Sequence, residues 1–423
     1  MAEERIIHDP VYGGMRLTGP VMDLVDVPEV QRLRRIHQLG LANAVFPGAH
    51  QTRFDHSLGV AYLIGRLSTE LELPEDERDL MLAAAMLHDI GHPPYSHTLE
   101  FLMTEYVGMD HVQLGGKLLQ GEISACTPQE LERLKELGVK TAREILNEKG
   151  IDPKEIESLM TGRHEKVYLG QMLNSEVDVD QMDYLMRDAH YTGVALGKID
   201  IDRLLRTIEI RDGKLAISNK GIEAVEGLMT ARALMYSSVY FHHTTRAAEL
   251  MYANAVDRAI TDDGPITAEN FYRMTDEEMN ERLFEIDGYP RSIITRLRYR
   301  QLFKPAYTDE RATLKPAEIE RLSKTYGKWS HVRELQDEIA DKASVQKGAV
   351  IIDAPLMEIK ISEPRLAKVE VPVITGEKLE KLSEVSTLAT ALKERQTPRY
   401  FLRVLTAAKN VEKVAKIAEK TLP

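Results

Sequence analysis

The run LMLAAAML, residues 80–87, leads directly into His88 and Asp89, and no other feature limits the fold of this chain as strongly. A helix this apolar is buried, and a carboxylate beside an imidazole at its end is costly there unless other groups pair with both. Distant segments must therefore converge on positions 88 and 89. The continuation GHPPYSH adds His92 and His97 around two prolines, and six of the 13 histidines (50, 56, 88, 92, 97 and 111) fall within about 60 residues. Neutral imidazole is the commonest protein metal ligand, so a cation is one partner that satisfies such a helix end. The alternative is a helix end with His88 as a satisfied core residue and Asp89 capping the next segment.

A mainly α fold is expected around this helix. Residues 1–25 read as short strands and turns, and DVPEVQRLRRIHQLG as a helix with Asp26 as N-cap and Pro28 near N1. DHSLGVAYLIGRLSTELEL and EDERDLMLAAAMLHDIG predict two further helices, and TPQELERLKELGVKTAREILNEKG a charged helix or helix pair interrupted near Gly138. TIEIRDGKLAIS, 207–218, is a β-hairpin turning at Asp212-Gly213. The proline-free stretch from Lys220 to Ile260 predicts one long buried helix, and helices are expected on to about 345. From 346 the pattern changes to strand, strand, helix, strand and a Lys-rich helix. The expected division is thus a core over 1–345 and a small α+β appendage over 346–423.

Composition narrows the partners. A net charge of -12 argues against a general affinity for nucleic-acid backbone and favours small partners. Cys126 is the single cysteine, which excludes an internal disulfide and a cysteine-based metal site. The charged start MAEERIIHDP has no apolar signal region, and the longest apolar run is too short to span a bilayer, so a cytoplasmic protein without membrane partners is expected.

A second informative stretch is NSEVDVDQMDYLMRDAHYTG, 174–193. Asp180, Tyr184 and Asp188 fall on one helical stripe, with Asp183 and Arg187 as an i, i+4 pair beside it. Spacing alone leaves Asp178, Asp180 and Asp183 all open as metal ligands. Together, RFDHSLGV (53–60), HDIGHPPYSH (88–97) and DVDQMDYLMRDAHYTG (178–193) resemble the HD-domain phosphohydrolases. DVPEVQRLRRIHQLG and VFPGA (45–49) resemble the deoxynucleoside triphosphate triphosphohydrolase branch of that superfamily. The resemblance covers about residues 5 to 260 and carries no motif into the C-terminal third.

The resemblance implies an HD helical core with His56, His88, Asp89 and Asp180 as metal ligands. That donor set suits a divalent Mn, Fe, Co, Ni or Zn ion better than Mg. It further implies His97 and Glu100 as a proton-transfer pair, His92 and His111 as further active-site histidines, and Arg53 as a phosphate clamp. Gln38 and Leu39 match the segment against a deoxyribose, Tyr184 and Asp188 a sugar-contacting pair, and Arg232 and Tyr240 two more substrate contacts. Departures from the family pattern are Glu100 for Asp, Val112 for Glu, Gln181 for Lys, Tyr236 for His and Phe241 for Gln. Arg5, Asp26, Gln31 and Arg34 match positions that hold an activating nucleotide between subunits in regulated members. The implied activity is hydrolysis of a dNTP to deoxynucleoside and tripolyphosphate by a homo-oligomer, a dimer or tetramer. Two alternatives stand beside it: an HD phosphatase or phosphodiesterase acting on nucleoside monophosphates or cyclic nucleotides, and a non-catalytic nucleotide-binding scaffold.

Overall fold

The structure is a computed structural model that describes residues 5–262, 264–309, 322, 324–354, 370–393 and 402–422. Its described residues are mainly α, with three small sheets among them. The principal helices, numbered in chain order, are α1 (Arg53–Glu70), α2 (Glu75–Leu87), α3 (His97–Val107), α4 (His111–Gln120), α5 (Val179–Thr192), α6 (Ile222–Met235), α7 (His243–Thr261), α8 (Asp276–Glu285), α9 (Trp329–Lys342) and α10 (Val411–Thr421). The strands are β1 (Arg5–Asp9), β2 (Gly13–Leu17), β3 (Ile208–Arg211), β4 (Lys214–Ser218), β5 (Lys304–Asp309), β6 (Val350–Asp353), β7 (Pro372–Thr375), β8 (Lys378–Lys381) and β9 (Leu402–Thr406).

Two hydrophobic cores form. The first is built on α1, α2, α5 and α6 with β2, and the second on α3, α7 and α9 with β6 and β9. The loop after α2 crosses between them: Ile90 is packed in the first core, Tyr95 and Leu99 in the second. The histidine-rich segment therefore lies at the seam of the two cores, where polar side chains from both sides can meet. No helix among the described residues is long and apolar enough to cross a membrane.

Local expectations hold for β1 and β2, which pair antiparallel, and for the hairpin β3–β4, whose turn residues Asp212 and Gly213 have φ of 52° and 71°. Positive φ at both positions is what a two-residue turn matched to strand twist needs. The charged stretch is two helices, Pro128–Glu136 and Ala142–Lys149, parted at Gly138.

Several expectations are corrected. Asp26 does not cap the helix Pro28–Arg32: Val27 takes that position, and the Asp26 carboxylate pairs with Arg5 instead. The single helix expected over 220–260 is two, because Tyr236–Tyr240 widen into a π turn and His242 caps α7 by accepting from the Thr244 N–H. Helix does not continue unbroken to 345, since β5 intervenes. The first residues of KLEKLSEV form β8 before the helical turns begin. Among the described residues, β7 pairs parallel with β4, and β9 lies between β5 and β6. Part of the strand-like 347–362 segment, from residue 355 on, lies outside the described residues.

Candidate active site

The first turn of α1 sets one wall. Thr52 accepts from the Asp55 N–H while the Asp55 carboxylate accepts from the Thr52 N–H at 2.8 Å, which fixes the start of the helix and turns His56 inward. His88 closes α2 as its C-cap, and its Nδ1 bonds to the Ala85 carbonyl at 2.7 Å. That bond leaves Nε2 with its lone pair free, and Nε2 is buried without a hydrogen-bond partner. Asp180, in the first turn of α5, presents Oδ1 at 2.9 Å from His56 Nε2 and 4.0 Å from His88 Nε2. Asp89 completes the group with Oδ1 at 3.4 Å from His88 Nε2 and Oδ2 at 3.8 Å from His56 Nε2. Donor atoms of His56, His88 and Asp180 thus lie within 4.8 Å of one another with Asp89 beside them, and the orphaned His88 nitrogen fits a cation there.

Spacing left three aspartates open, and their positions now separate them. Asp178 is the N-cap of α5 and accepts from the Gln181 N–H. Asp183 lies behind His56, 2.7 Å from Nδ1, and carries Arg187 on both oxygens at 2.9 and 3.0 Å. Arg187 also donates to Asp9 at 2.7 Å, and the whole network is buried. Gly59 makes room for it, since a Cβ there would lie 1.8 Å from Asp183 Oδ1. Burial works against a charged His56, but its bonds to Asp180 and Asp183 overrule this and raise it to about 10. Burial pushes Asp180 up, and His56 brings it down to about 2.

Beside this group stands a second. Arg53 donates to Asp89 Oδ2 at 2.9 Å and to Ser96 Oγ at 2.8 Å, and its Nη2 is buried without a partner. Burial opposes the charge of Asp89, yet Arg53, His88 and His92 hold it well below the usual carboxylate range. His92 Nε2 is 3.3 Å from Asp89, and its ring stacks on His111 with centroids 4.0 Å apart. Glu100 accepts from both His97 Nδ1, at 2.7 Å, and His111 Nδ1. Burial and the neighbouring Arg53 and His111 keep His92 neutral, whereas Glu100 overcomes burial to favour a charged His111. His97 is the solvent-facing member, with 59% of its side chain exposed.

Two turns along α5, Asp188 accepts from Gln51 Nε2 at 2.9 Å and from the Tyr240 hydroxyl at 2.8 Å. Burial raises its carboxyl to about 6. The rings of Tyr184 and Tyr240 lie 6.2 Å apart, and the Gln38 Oε1 is buried without a partner. The partly buried Leu39 packs against the first core. Arg232 donates to Gln181 Oε1 at 2.6 Å, so the residue that departs from the family lysine occupies this guanidinium.

The HD domain family matches residues 53–188, and the HD associated region matches residues 199–423. The chain belongs to the HD-domain phosphohydrolases. An uncharacterized protein of Methanocaldococcus jannaschii is 31% identical to this phosphohydrolase over 92% of the chain and 76% of the relative. The deoxynucleoside triphosphate triphosphohydrolase SAMHD1 homolog of Dictyostelium discoideum is 30% identical over 72% of the chain, which spans 60% of that relative's length. A crystallised phosphohydrolase of Bacteroides thetaiotaomicron aligns with a TM-score of 0.68 and 25% identity over 96% of this chain and all of its own. The HD associated region also extends kinship into the C-terminal third, where the sequence motifs stop.

Within this HD-domain enzyme, Arg5, Asp26, Gln31 and Arg34 form two pairs. Arg5 bonds to Asp26 at 2.6 Å, and Arg34 to Gln31 at 3.0 Å with its guanidinium over the Phe54 ring. A cavity of about 930 Å³ opens beside Gln31 and Arg34, lined also by Arg35, Arg133 and Arg273, and includes none of the active-site histidines. Sequence reasoning gave no role to Gln51, Ser96 or Asp276. Ser96 stands directly before His97 inside HDIGHPPYSH and Gln51 two positions before Arg53, the local signals among them.

Proposed function

We propose that this phosphohydrolase cleaves deoxynucleoside triphosphates to deoxynucleoside and tripolyphosphate, with a divalent ion held by His56, His88, Asp89 and Asp180. One observation carries the reading: a single helix, α5, presents Asp180 to the histidine group and, two turns on, Asp188 to Gln51 and Tyr240. Eight residues span about 12 Å of helix, enough to hold a phosphate at one end and a sugar at the other. The bound ion supplies Lewis acidity at the phosphoryl group. Arg53, with its unpartnered Nη2, binds a phosphate oxygen. Water's oxygen replaces the sugar 5′-oxygen on phosphorus, His97, oriented by Glu100 through Nδ1, gives the departing oxygen a proton from Nε2, and the proton that the water loses passes to solvent, from which the exposed His97 is reprotonated. His92 and His111 contact the phosphates, while Gln38, Leu39, Tyr184, Asp188 and Tyr240 shape the nucleoside side.

A second reading, hydrolysis of nucleoside monophosphates or cyclic nucleotides, is favoured by the occupation of Arg232 by Gln181, which leaves fewer free cations for a polyphosphate. Incubation of the Mn²⁺-loaded protein with each dNTP, and in parallel with deoxynucleoside monophosphates and cyclic nucleotides, followed by anion-exchange analysis of products, decides between them. Tripolyphosphate supports the first reading; orthophosphate or a ring-opened nucleotide supports the second, and binding without product supports a scaffold. Assembly as a dimer or tetramer, with a nucleotide held at Arg5, Asp26, Gln31 and Arg34, belongs to the first reading. Light scattering with and without GTP tests it, and a monomer under both conditions removes it.

A further inference from the structure

The turn preceding α8 reaches the active-site loop through buried side chains. Asp276, the first residue of α8, is 1% exposed. Its Oδ1 accepts from the Tyr95 N–H at 2.6 Å. Its Oδ2 accepts from the His37 N–H at 2.8 Å and pairs with His37 Nδ1 at 2.7 Å. Arg32 ties the same two segments from the other side, donating to the carbonyls of His92 at 2.9 Å, Arg273 at 3.0 Å and Met274 at 2.7 Å. The loop so held is in a conformation that side chains disfavour: Tyr95 and Ser96 have φ of 56° and 55°. Ser96 Oγ in turn accepts from Arg53 and donates to the His37 carbonyl at 2.7 Å. Such a backbone persists only where its surroundings over-determine it. His97 comes immediately after as the first residue of α3, and Gln38 comes directly after His37.

We propose that Asp276 is a positioning residue for the hydrolytic reaction, holding Tyr95 and Ser96 in their positive-φ conformation so that His97 and Arg53 keep their places. The proposal rests on the roles given to His97 and Arg53 above. Asp276 acts through the backbone of Tyr95 and His37 and lies outside the metal-facing group. A carboxylate serves where an amide does not, because both oxygens must accept and an amide offers one.

Asp276→Asn and Asp276→Glu test this with two measurements. Amide hydrogen exchange needs no turnover: the peptide over 92–99 should exchange about tenfold faster in Asp276→Asn, while α2 keeps wild-type protection. With dGTP and Mn²⁺, kcat should fall on the order of 100-fold, by more than KM rises, with Mn²⁺ stoichiometry unchanged. Asp276→Glu keeps both acceptors on a longer arm and should show the same pattern, more weakly; it carries the test if the amide variant does not fold. A purely structural role would speed exchange throughout and leave kcat per Mn²⁺-loaded site intact, which overturns the proposal. Wild-type protection of 92–99 in both variants overturns it equally. His97→Ala is read in parallel: wild-type kcat there refutes the assignment of His97, while the exchange result still judges the hold on the loop.

Discussion

Asp183→Asn separates the support of a metal ligand from the support of the fold. The wild-type carboxylate accepts from His56 Nδ1 and Arg187 Nε on Oδ2 and from Arg187 Nη2 on Oδ1, with no exposure to solvent. An amide keeps one oxygen. Placed towards His56, that oxygen keeps the imidazole oriented, but the new NH₂ meets a guanidinium N–H. Placed towards Arg187 Nη2, it leaves the NH₂ against His56 Nδ1, which must then accept, so the ring proton moves to Nε2, the atom that faces Asp180. Either arrangement removes the carboxylate charge from the buried Arg187 and costs about 3 kcal/mol of stability. The second removes the lone pair that a metal needs, and loss of a carboxylate behind a ligating histidine typically weakens metal binding about 10- to 100-fold, or about 1.4–2.7 kcal/mol. Calorimetric titration with Mn²⁺ reads the affinity. Urea unfolding of the metal-free protein reads the stability, without the contribution that bound ion adds. Wild-type Mn²⁺ affinity in a destabilised variant would show that Asp183 serves the fold alone.

Asp188→Asn should stabilise the protein above pH 6. A carboxyl raised from 3.8 to about 6 holds its proton better folded than unfolded, so its contribution is unpenalised below pH 3.8 and falls as pH rises through 6. The full difference is about 3 kcal/mol, and thermal unfolding of both proteins from pH 4 to 8 should show the gap opening and then levelling, with a pH-independent gap counting against burial as the cause. Gly91→Ala would set a Cβ 2.0 Å from the His111 carbonyl and 2.6 Å from the Gly115 nitrogen, forcing α4 away from the loop. Activity should drop about 100-fold with about 1–3 kcal/mol lost, checked by kcat and melting temperature. Asp89→Asn should keep the circular dichroism spectrum and lose activity by orders of magnitude; near wild-type turnover would sink the metal mechanism.

Chemistry close in sequence was legible, and chemistry closed by distant contacts was not. His88 and Asp89 announce themselves because an apolar helix cannot end in a charge unaided, and the α5 stripe of Asp180, Tyr184 and Asp188 follows from helical period. Asp183 and Arg187 were visible as a pair on a helix whose Met182, Leu185 and Met186 want one side buried, but their partners His56 and Asp9 were not, since they come from distant segments. Asp276 reaches Tyr95 across 181 positions and Arg32 reaches Arg273 across 241, and in sequence each is an ordinary polar residue. The π turn at Tyr236–Tyr240 escaped because its residues are compatible with α-helix; widening the helix there accompanies the bond of Tyr240 to Asp188. β5 was taken for helix because its partner comes nearly 100 positions later, in β9.

The sheet order β5-β9-β6 has a consequence for how the protein is made. The middle strand is the last of the three in chain order, so among the described residues β5 and β6 have no sheet neighbour to bond to until residue 406 has left the ribosome. Each then carries an open edge, the kind of surface that recruits foreign strands. Synthesis at about 5–20 residues per second leaves the interval from β6 to β9 open for a few seconds. That interval, rather than the assembly of the histidine group from segments already made, is where a nascent chain of this design is most exposed to aggregation.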